Sequence, residues 1–458
     1  MPIIRSISGL RATLGDSITP ALISDYTASF SSLLPKGTVV VGNDGRPSGK
    51  WIEQIVTATL IACGRHVLKL GVVPTPTVQL FTEKTDAVGG IAITASHNPE
   101  QWNGLKFIGE SGIFLDEHEN AALWQILDNK TFTFESEKFD SGIKEIHDPI
   151  QHHIDAILSL PLFANSGMIQ KIKAKNINVV VDAVNASGSE AIPRLLESFG
   201  CKVIKLYCDG SGIFPHTPEP LPEHLKDLSQ AVRINNAGLG IAVDPDADRL
   251  VLIDETSNPI GEEMTIVLAI ESVFEFSNYF TETKNLCAVV NHSTTMATDY
   301  AAKKYGGKVK RSPVGEINVI NTMKDSGAII GGEGSGGVIL PACHYGRDSL
   351  VGTALILALM AERNSTLSQL KQVYPKFEMR KTKISFDGDF ETLLNKVIEK
   401  FPGTEIIKED GIKIIFKDSW LQIRRSNTEP IIRIITESIY PEEISRLNCI
   451  VTDLLNSE

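Results

Sequence analysis

GGIAITASHNP at residues 89–99, LGIAVDPDADR at 239–249 and GAIIGGEGSGG at 327–337 share one pattern. Each opens as a short apolar run and gives way at once to a loop of small and polar residues. Runs of this length bounded by Gly, Pro, Asn or Asp read as strands, and the loop then sits at the strand's carboxyl end. Ligands in open α/β sheets bind beyond those ends, so each loop is a candidate site, and three such units can face one cleft.

Further β-branched runs lie around these three: TVVVG (38–42), INVVVDAV (177–184) and LCAVVN (286–291). They alternate with helix-length segments from about residue 38 to 362, which predicts α/β layers with mixed, largely parallel sheets. After about Lys371 the pattern changes. IKIIFKD (412–418), SWLQIRR (419–425) and PIIRIIT (430–436) alternate as strands, and one final helix spans 441–455, giving a separate small α+β domain. The expected domains are 1–155, 156–255, 256–370 and 371–458. No period of 20–50 residues suggests a solenoid.

The length of 458 residues exceeds what one core serves, which agrees with several domains. Hydrophobic content of 42% and charged content of 22% are those of an ordinary globular protein. The longest apolar run, near 353–360, is far short of the roughly 20 residues a bilayer span needs. No export signal is visible in MPIIRSISGLRATLGD, so a cytoplasmic protein without a membrane partner is expected. Six scattered cysteines without CxxC spacing argue against a disulfide framework or a zinc site. The net charge of −12 excludes nonspecific nucleic-acid binding, and an anionic ligand would require cations gathered locally.

Four motifs carry chemistry. In TASHNP (94–99) small residues and a proline hold the Ser96 hydroxyl on an irregular turn, where it can act as a nucleophile, while His97 and Lys106 can move protons or pair with phosphate. The competing reading is a strand-to-helix turn with Ser96 as helix cap. In DPDADR (244–249), Asp244, Asp246 and Asp248 cannot sit together ionised without a compensating cation, and hard oxygen ligands suggest Mg²⁺ or Ca²⁺. An EF-hand needs glycine where Arg249 stands and no strand directly after, so calcium sensing is rejected; a solvated acidic turn is the remaining alternative. GGEGSGG (331–337) contains a formal GxGxxG, but Val-Ile-Leu-Pro follows rather than a helix, so glycines admitting a ligand beside Glu333 and Ser335 fit equally well. RRSNTEP (424–430) gathers Arg424, Ser426, Asn427 and Thr428 into a phosphate cradle, or into a plain hairpin turn.

As a set and in this order, the motifs resemble the α-D-phosphohexomutase family, over essentially the whole chain. SGLR (8–11), NGLK (103–106), GNDGRPSG (42–49), GVVPTPT (71–77) and GIFPHTPEP (212–220) add to the resemblance. It implies four domains, three of them related α/β units and the fourth resembling the TATA-binding-protein fold. It further implies that Ser96 is a phosphoserine and that Asp244, Asp246, Asp248 and an oxygen on Ser96 hold Mg²⁺. Arg11 and Arg249 would neutralise the transferring group, Lys106 would be the general acid/base and His97 would stand beside the nucleophile. Glu333 and Ser335 would grip sugar hydroxyls, and Arg424, Ser426, Asn427 and Thr428 the non-transferring phosphate. One departure is Gly337, where some bacterial members have histidine; the form GEGSGG resembles archaeal-type and related bacterial members.

The implied reaction moves phosphate between the 6- and 1-positions of a hexose through phosphoserine and a hexose bisphosphate, which also acts as activator. A small phosphosugar is the expected partner. The length of the chain favours glucosamine 6-phosphate, with phosphomannomutase/phosphoglucomutase activity as the alternative. A serine phosphatase would have no use for a sugar clamp serving two orientations, and a silent binding protein none for a phosphorylatable nucleophile.

Overall fold

Val39, Val40 and Val41 are fully buried, and successive side chains enter different cores. Val39 and Val41 join Ile52, Val56, Leu60 and Phe30, whereas Val40 joins Val78, Ala92 and Ile108. Side chains alternate faces along a strand, so an uninterrupted apolar run signals a strand covered on both sides. Helices Pro20–Leu33 and Gly49–Ala62 cover one face and Thr75–Lys84 the other. The computed structural model describes residues 3–7, 9–135, 142–386, 388–425 and 431–456.

The strand Thr38–Asn43 lies inside a seven-stranded sheet, ordered Ile4–Ser6, Gly9–Thr13, Trp102–Gly109, Ala87–Ile93, Thr38–Asn43, His66–Val72, Ile143–Glu145. Its last four strands run parallel and the others pair antiparallel. A second sheet of four strands has Asn178–Asp182 between Lys202–Tyr207 and Leu239–Val243, with Leu250–Ile253 antiparallel at the edge. A third, of five strands, centres on Cys287–Asn291 and Ile330–Glu333 and ends in the antiparallel pair Gly337–Leu340 and His344–Arg347. The three sheets are mixed, as the alternating runs predict, but parallel and antiparallel pairings are nearly equal in number rather than largely parallel, because each sheet ends in antiparallel strands beside its site loop.

The apolar run near 353–360 lies within the helix Ser349–Arg363, whose residues 349–361 are all buried. It packs against Glu263–Glu275 and against elements of the first two units. A helix apolar all round belongs in a protein core. Among the described residues no helix is long and apolar enough to cross a membrane.

The fourth sheet is wholly antiparallel, ordered Glu378–Ser385, Ile431–Ser438, Ser419–Arg425, Ile412–Ile415, Glu405–Ile407. Two helices cover it where the sequence reading gave one. Phe390–Glu399 accompanies Pro441–Asn456, and both contribute to one core with Ile412, Leu421 and Ile434. The extra helix has readable signals: the Asp389 side chain caps it, and Phe390, Leu393, Leu394 and Val397 repeat at helical spacing. Helices Pro149–Leu158 and Leu367–Gln372 run across the expected borders at 155 and 370.

One buried hub joins the first three units. Asp348 Oδ1 accepts from the backbone N–H of Leu350 (2.8 Å) and Val351 (3.3 Å), capping the long helix. Its Oδ2 accepts from His153 Nε2 at 2.9 Å and His344 Nε2 at 3.0 Å. His153 Nδ1 in turn meets Thr77 Oγ1 at 2.9 Å. Against the burial that would raise it, the two imidazoles hold the Asp348 carboxyl below the usual carboxylate range. Asp348→Ala removes the cap and strands two buried imidazoles, so it should destabilise by about 3–5 kcal/mol, against at most about 1 kcal/mol for Lys171→Ala at the exposed Lys171–Glu362 pair. Urea unfolding of both variants beside wild type checks the contrast.

Candidate active site

Ser96 follows the strand Ala87–Ile93, and its turn leads into the antiparallel strand Trp102–Gly109 rather than into a helix. The helix-cap reading of Ser96 therefore does not apply. Ser96 has φ of 50°, a left-handed conformation that a non-glycine residue takes only where its surroundings impose it. Those surroundings are explicit. The Ser96 backbone N–H donates to Thr94 Oγ1 at 2.8 Å, and Thr94 Oγ1 donates to Asp44 Oδ2 at 2.6 Å. Arg46, fully buried and paired with Asp44 at 2.8 Å, donates to the carbonyls of Ser96, Asn98 (2.8 Å), Pro99 (3.0 Å) and Trp102 (3.1 Å). Sequence reading quoted GNDGRPSG without giving Arg46 this role. A charged residue between two turn-forming positions was the available signal.

The Ser96 hydroxyl lies 3.2 Å from Asp244 Oδ2 and 3.3 Å from His97 Nδ1. Asp244, Asp246 and Asp248 come from the loop between Leu239–Val243 and Leu250–Ile253, and all three are buried. Asp246 Oδ2 accepts from Thr75 Oγ1 (2.8 Å) and Lys106 Nζ (2.6 Å). Asp248 Oδ2 accepts from Arg347 Nη2 (2.6 Å) and Lys106 Nζ (3.2 Å). Among the described residues, Oδ1 of Asp246 and Oδ1 of Asp248 have no hydrogen-bond partner.

Leaving buried carboxylate oxygens unpaired costs several kcal/mol each unless a ligand takes them. Burial and the two neighbouring carboxylates push the Asp244 carboxyl well above its ordinary value. Against burial, Arg347, Lys106 and Arg249 hold Asp248 below its own. Three all-oxygen ligands within 4.8 Å of one another suit a hard divalent cation such as Mg²⁺. This is no solvated acidic turn.

Lys106 is buried, yet Asp246 and Asp248 raise its pKa against that burial, so it is charged. Arg11 donates to Asn98 Oδ1 at 2.9 Å, beside the Ser96 turn. Arg249 Nε lies 3.9 Å from both Asp244 and Asp248, and its Nη1 lies 3.6 Å from Glu219. Partial burial, with the Arg249 and Arg11 charges, pushes the His97 imidazole well below its ordinary value.

Glu333 ends the strand Ile330–Glu333. Its Oε1 accepts from Asn291 Nδ2 (2.8 Å) and the Gly315 N–H (3.2 Å), and its Oε2 from Arg347 Nη1 (2.8 Å). The loop after it is stitched to the end of the aspartate loop, because the Leu250 N–H donates to the Gly336 carbonyl at 2.9 Å. A Cβ at Gly334 would overlap the Glu263 carboxylate, which would have to move aside. A strand follows this loop, so the glycines do not form a dinucleotide fingerprint.

The cleft of about 1420 Å³ carries Arg11, His97, Asn98 and Arg424 on its walls. A second hollow of about 580 Å³ shares His97 and Arg424 with it and adds Arg249, Glu333, Ser335 and Arg347. The fold thus brings Ser96, His97, Arg11, Lys106, the three aspartates and Arg249 together, and sets Glu333, Ser335 and Arg424 around the same opening. Ser426, Asn427 and Thr428 lie outside the described residues.

Two further cations line both hollows: Arg433 and Lys383. Arg424 pairs in register with Arg433, and Arg433 with Lys383, so three cations stand in a row across adjacent strands. Like charges directly opposite one another destabilise a sheet, and an anion removes that penalty. Sequence reading missed Arg433, although a lone cation within the apolar run PIIRIIT was a usable signal.

Residues 3–134 match the model of phosphoglucomutase/phosphomannomutase alpha/beta/alpha domain I, residues 151–258 that of domain II and residues 263–377 that of domain III. A Thermococcus kodakarensis protein named phosphoglucomutase/phosphomannomutase is 35% identical over 438 residues, 94% of this chain and 93% of its own. A Methanopyrus kandleri protein named probable phosphoglucosamine mutase is 30% identical over 454 residues, 98% of this chain and 96% of its own. The crystal structure of a phosphoglucomutase/phosphomannomutase family protein from Burkholderia thailandensis superposes with a TM-score of 0.82 at 22% identity, covering 99% of this chain and 98% of that one.

The cation row generates an expectation of opposite signs. Arg433→Met should weaken binding of a phosphate ester such as glucose 1-phosphate by about tenfold, the scale of a charge-assisted bond to phosphate. The melting temperature of the free protein should hold or rise, because the like-charge contacts with both Arg424 and Lys383 are gone. Titration calorimetry and thermal unfolding of the same sample measure both.

Proposed function

The chain is a phosphohexomutase, an isomerase of the phosphoglucomutase/phosphomannomutase family, and from that premise we propose that it works through phosphorylated Ser96 on glucosamine phosphate. The observation that carries the mechanism is the Ser96 hydroxyl 3.2 Å from Asp244, in a buried trio of carboxylates with two oxygens lacking a hydrogen bond. A phosphoryl group on Ser96 extends into that trio. Mg²⁺ held by Asp244, Asp246 and Asp248 would supply neutralising charge there.

Phosphoryl transfer needs positioning and neutralisation more than covalent chemistry. A sugar hydroxyl attacks phosphorus, the bond from phosphorus to Ser96 Oγ breaks, and the phosphoryl group passes to the sugar as a bisphosphate. Arg11 and Arg249 lie beside the path of that charge. Lys106, held protonated by Asp246 and Asp248, supplies a proton to Ser96 Oγ, and the proton shed by the sugar hydroxyl restores it. The bisphosphate turns over and its other phosphate returns to Ser96. In each orientation the non-transferring phosphate rests on Arg424 and Arg433, while Glu333 and Ser335 hold the sugar hydroxyls.

Discrimination at the 2-position rests on a different set of groups. Glu219, Glu223, Glu262 and Glu263 line the same hollow as Glu333 and Ser335. Burial pushes the Glu263 carboxyl up to about 7, Lys381 pairs with Glu262 at 2.7 Å and with Glu263 at 2.9 Å, and Arg249 lies 3.6 Å from Glu219, so an ammonium on the sugar would share these carboxylates with cations already in place. This wall and the Methanopyrus relative support glucosamine; the Thermococcus relative supports a glucose or mannose phosphate.

Two measurements test the proposal. Purified protein should carry a mass shift of about 80 Da on the peptide containing Ser96, and Ser96→Ala should lose the modification and essentially all turnover. Phosphate found elsewhere, or full activity in the variant, would falsify the phosphoserine mechanism. For the sugar, kcat/KM is compared for glucosamine 6-phosphate, glucose 1-phosphate and mannose 1-phosphate under the same Mg²⁺ and bisphosphate. Glucosamine should lead; a neutral sugar ahead by about tenfold, a gap of about 1.4 kcal/mol, replaces it with the glucose/mannose reading.

A further inference from the structure

Arg347 ends the strand His344–Arg347 and reaches three carboxylates at once. Nη2 donates to Asp248 Oδ2 at 2.6 Å, Nη1 to Glu333 Oε2 at 2.8 Å and Nε to Glu316 Oε2 at 2.9 Å. Glu316 also accepts from Gln79 Nε2 of the first unit at 3.1 Å. A rigid planar fork can satisfy three acceptors in fixed directions, which an ammonium on a flexible stem cannot. The three acceptors answer in kind: against burial, Asp248, Glu333 and Glu316 keep the guanidinium firmly charged.

The room for this side chain comes from Gly337. A Cβ at 337 would overlap Arg347 Cδ and lie 3.0 Å from Cγ. Gly337 is not among the glycines with positive φ, so its backbone does not demand glycine. What demands it is space. Gly337 also pairs in register with Glu333, and Ile339, two residues on, pairs with Arg347, so the glycine lies between the two ends of the ion pair.

We propose that Arg347 is a positioning residue that holds the metal-binding carboxylate of Asp248 and the sugar-binding carboxylate of Glu333 in one frame, and that Gly337 is small in order to admit it. The proposal rests on the roles given above to Asp248 and Glu333. By taking Asp248 Oδ2, Arg347 leaves Oδ1 for the ion. By taking Glu333 Oε2, it fixes the plane in which that carboxylate meets a sugar hydroxyl. The side chain therefore sets the distance between two parts of the site that come from different domains.

Arg347→Lys keeps the positive charge and loses the fork, so any change it causes reports orientation rather than net charge. The Mg²⁺ dissociation constant measured by calorimetry should rise about tenfold, and kcat/KM should fall by a similar factor, the usual scale for losing a group that orients a metal ligand. The melting temperature should stay within a few degrees, since the cation remains paired. Gly337→Ala should lower kcat/KM in the same direction, but add no more than about twofold in an Arg347→Ala background, because neighbours sharing one space are not additive. Should Arg347→Ala not fold, Arg347→Ser, which has no atom at the δ position, serves as that background.

Unchanged Mg²⁺ affinity and kcat/KM in Arg347→Lys overturn the positioning role. An equal Gly337→Ala penalty in both backgrounds overturns the pairing. A wild-type protein that binds no Mg²⁺ overturns the proposed function instead, and the same cycle read by melting temperature still tests the Gly337–Arg347 pair without metal or substrate.

Discussion

The mutual repulsion of Asp244, Asp246 and Asp248 is the constraint around which this molecule is arranged. Three buried carboxylates on alternate residues of one turn cannot stay ionised at that spacing on their own. Lys106 arrives from the first unit and Arg347 from the third, each with a hydrogen bond to the trio, while Arg249 stands at 3.9 Å. These contacts close the first three units around one point. The apolar core that these units share and the Asp348 hub hold them together; the carboxylates' need for compensation adds to that, and two of their oxygens are left without a hydrogen bond.

The same logic resolves the contrast between a net charge of −12 and an anionic substrate. The cations that matter are gathered inward, on the walls of two connected hollows, where Arg11, Arg249, Arg424, Arg433 and Lys383 converge. A focused field of this kind draws a phosphate into the cleft, while the acidic exterior discourages indiscriminate association with polyanions. The row of three cations on the fourth sheet belongs to this arrangement. It is a local conflict that an anionic ligand would relieve.

Much of this was legible in the sequence, for identifiable reasons. TASHNP, DPDADR and GGEGSGG are contiguous, and each places its functional side chains within a few residues, so local spacing was enough to single them out. The valine runs gave away strands covered on both faces. What stayed hidden were partners chosen by folding alone. Arg46 holds the Ser96 turn from 50 residues away, and Arg347 reaches Asp248 across 99. Neither spacing has a periodicity that reading along the chain could detect. The helix Phe390–Glu399 was different, since its cap and apolar stripe were present. It was overlooked because the neighbouring strand Glu378–Ser385 is polar and half exposed, and gave no frame to place the helix in.

The left-handed backbone at Ser96 also decides which amino acids can occupy the position. Threonine carries the same hydroxyl and would be the obvious chemical substitute. Its branched Cβ, however, makes a φ near 50° an outlier rather than a tolerated state. Asparagine or glycine would fit the turn but bring no nucleophile. Among residues able to accept a phosphoryl group through an aliphatic hydroxyl, the local geometry leaves serine. The identity of the residue proposed as nucleophile is thus constrained twice, once by its hydroxyl and once by the shape of the chain beneath it, and exchange of serine for threonine is disfavoured on conformational grounds.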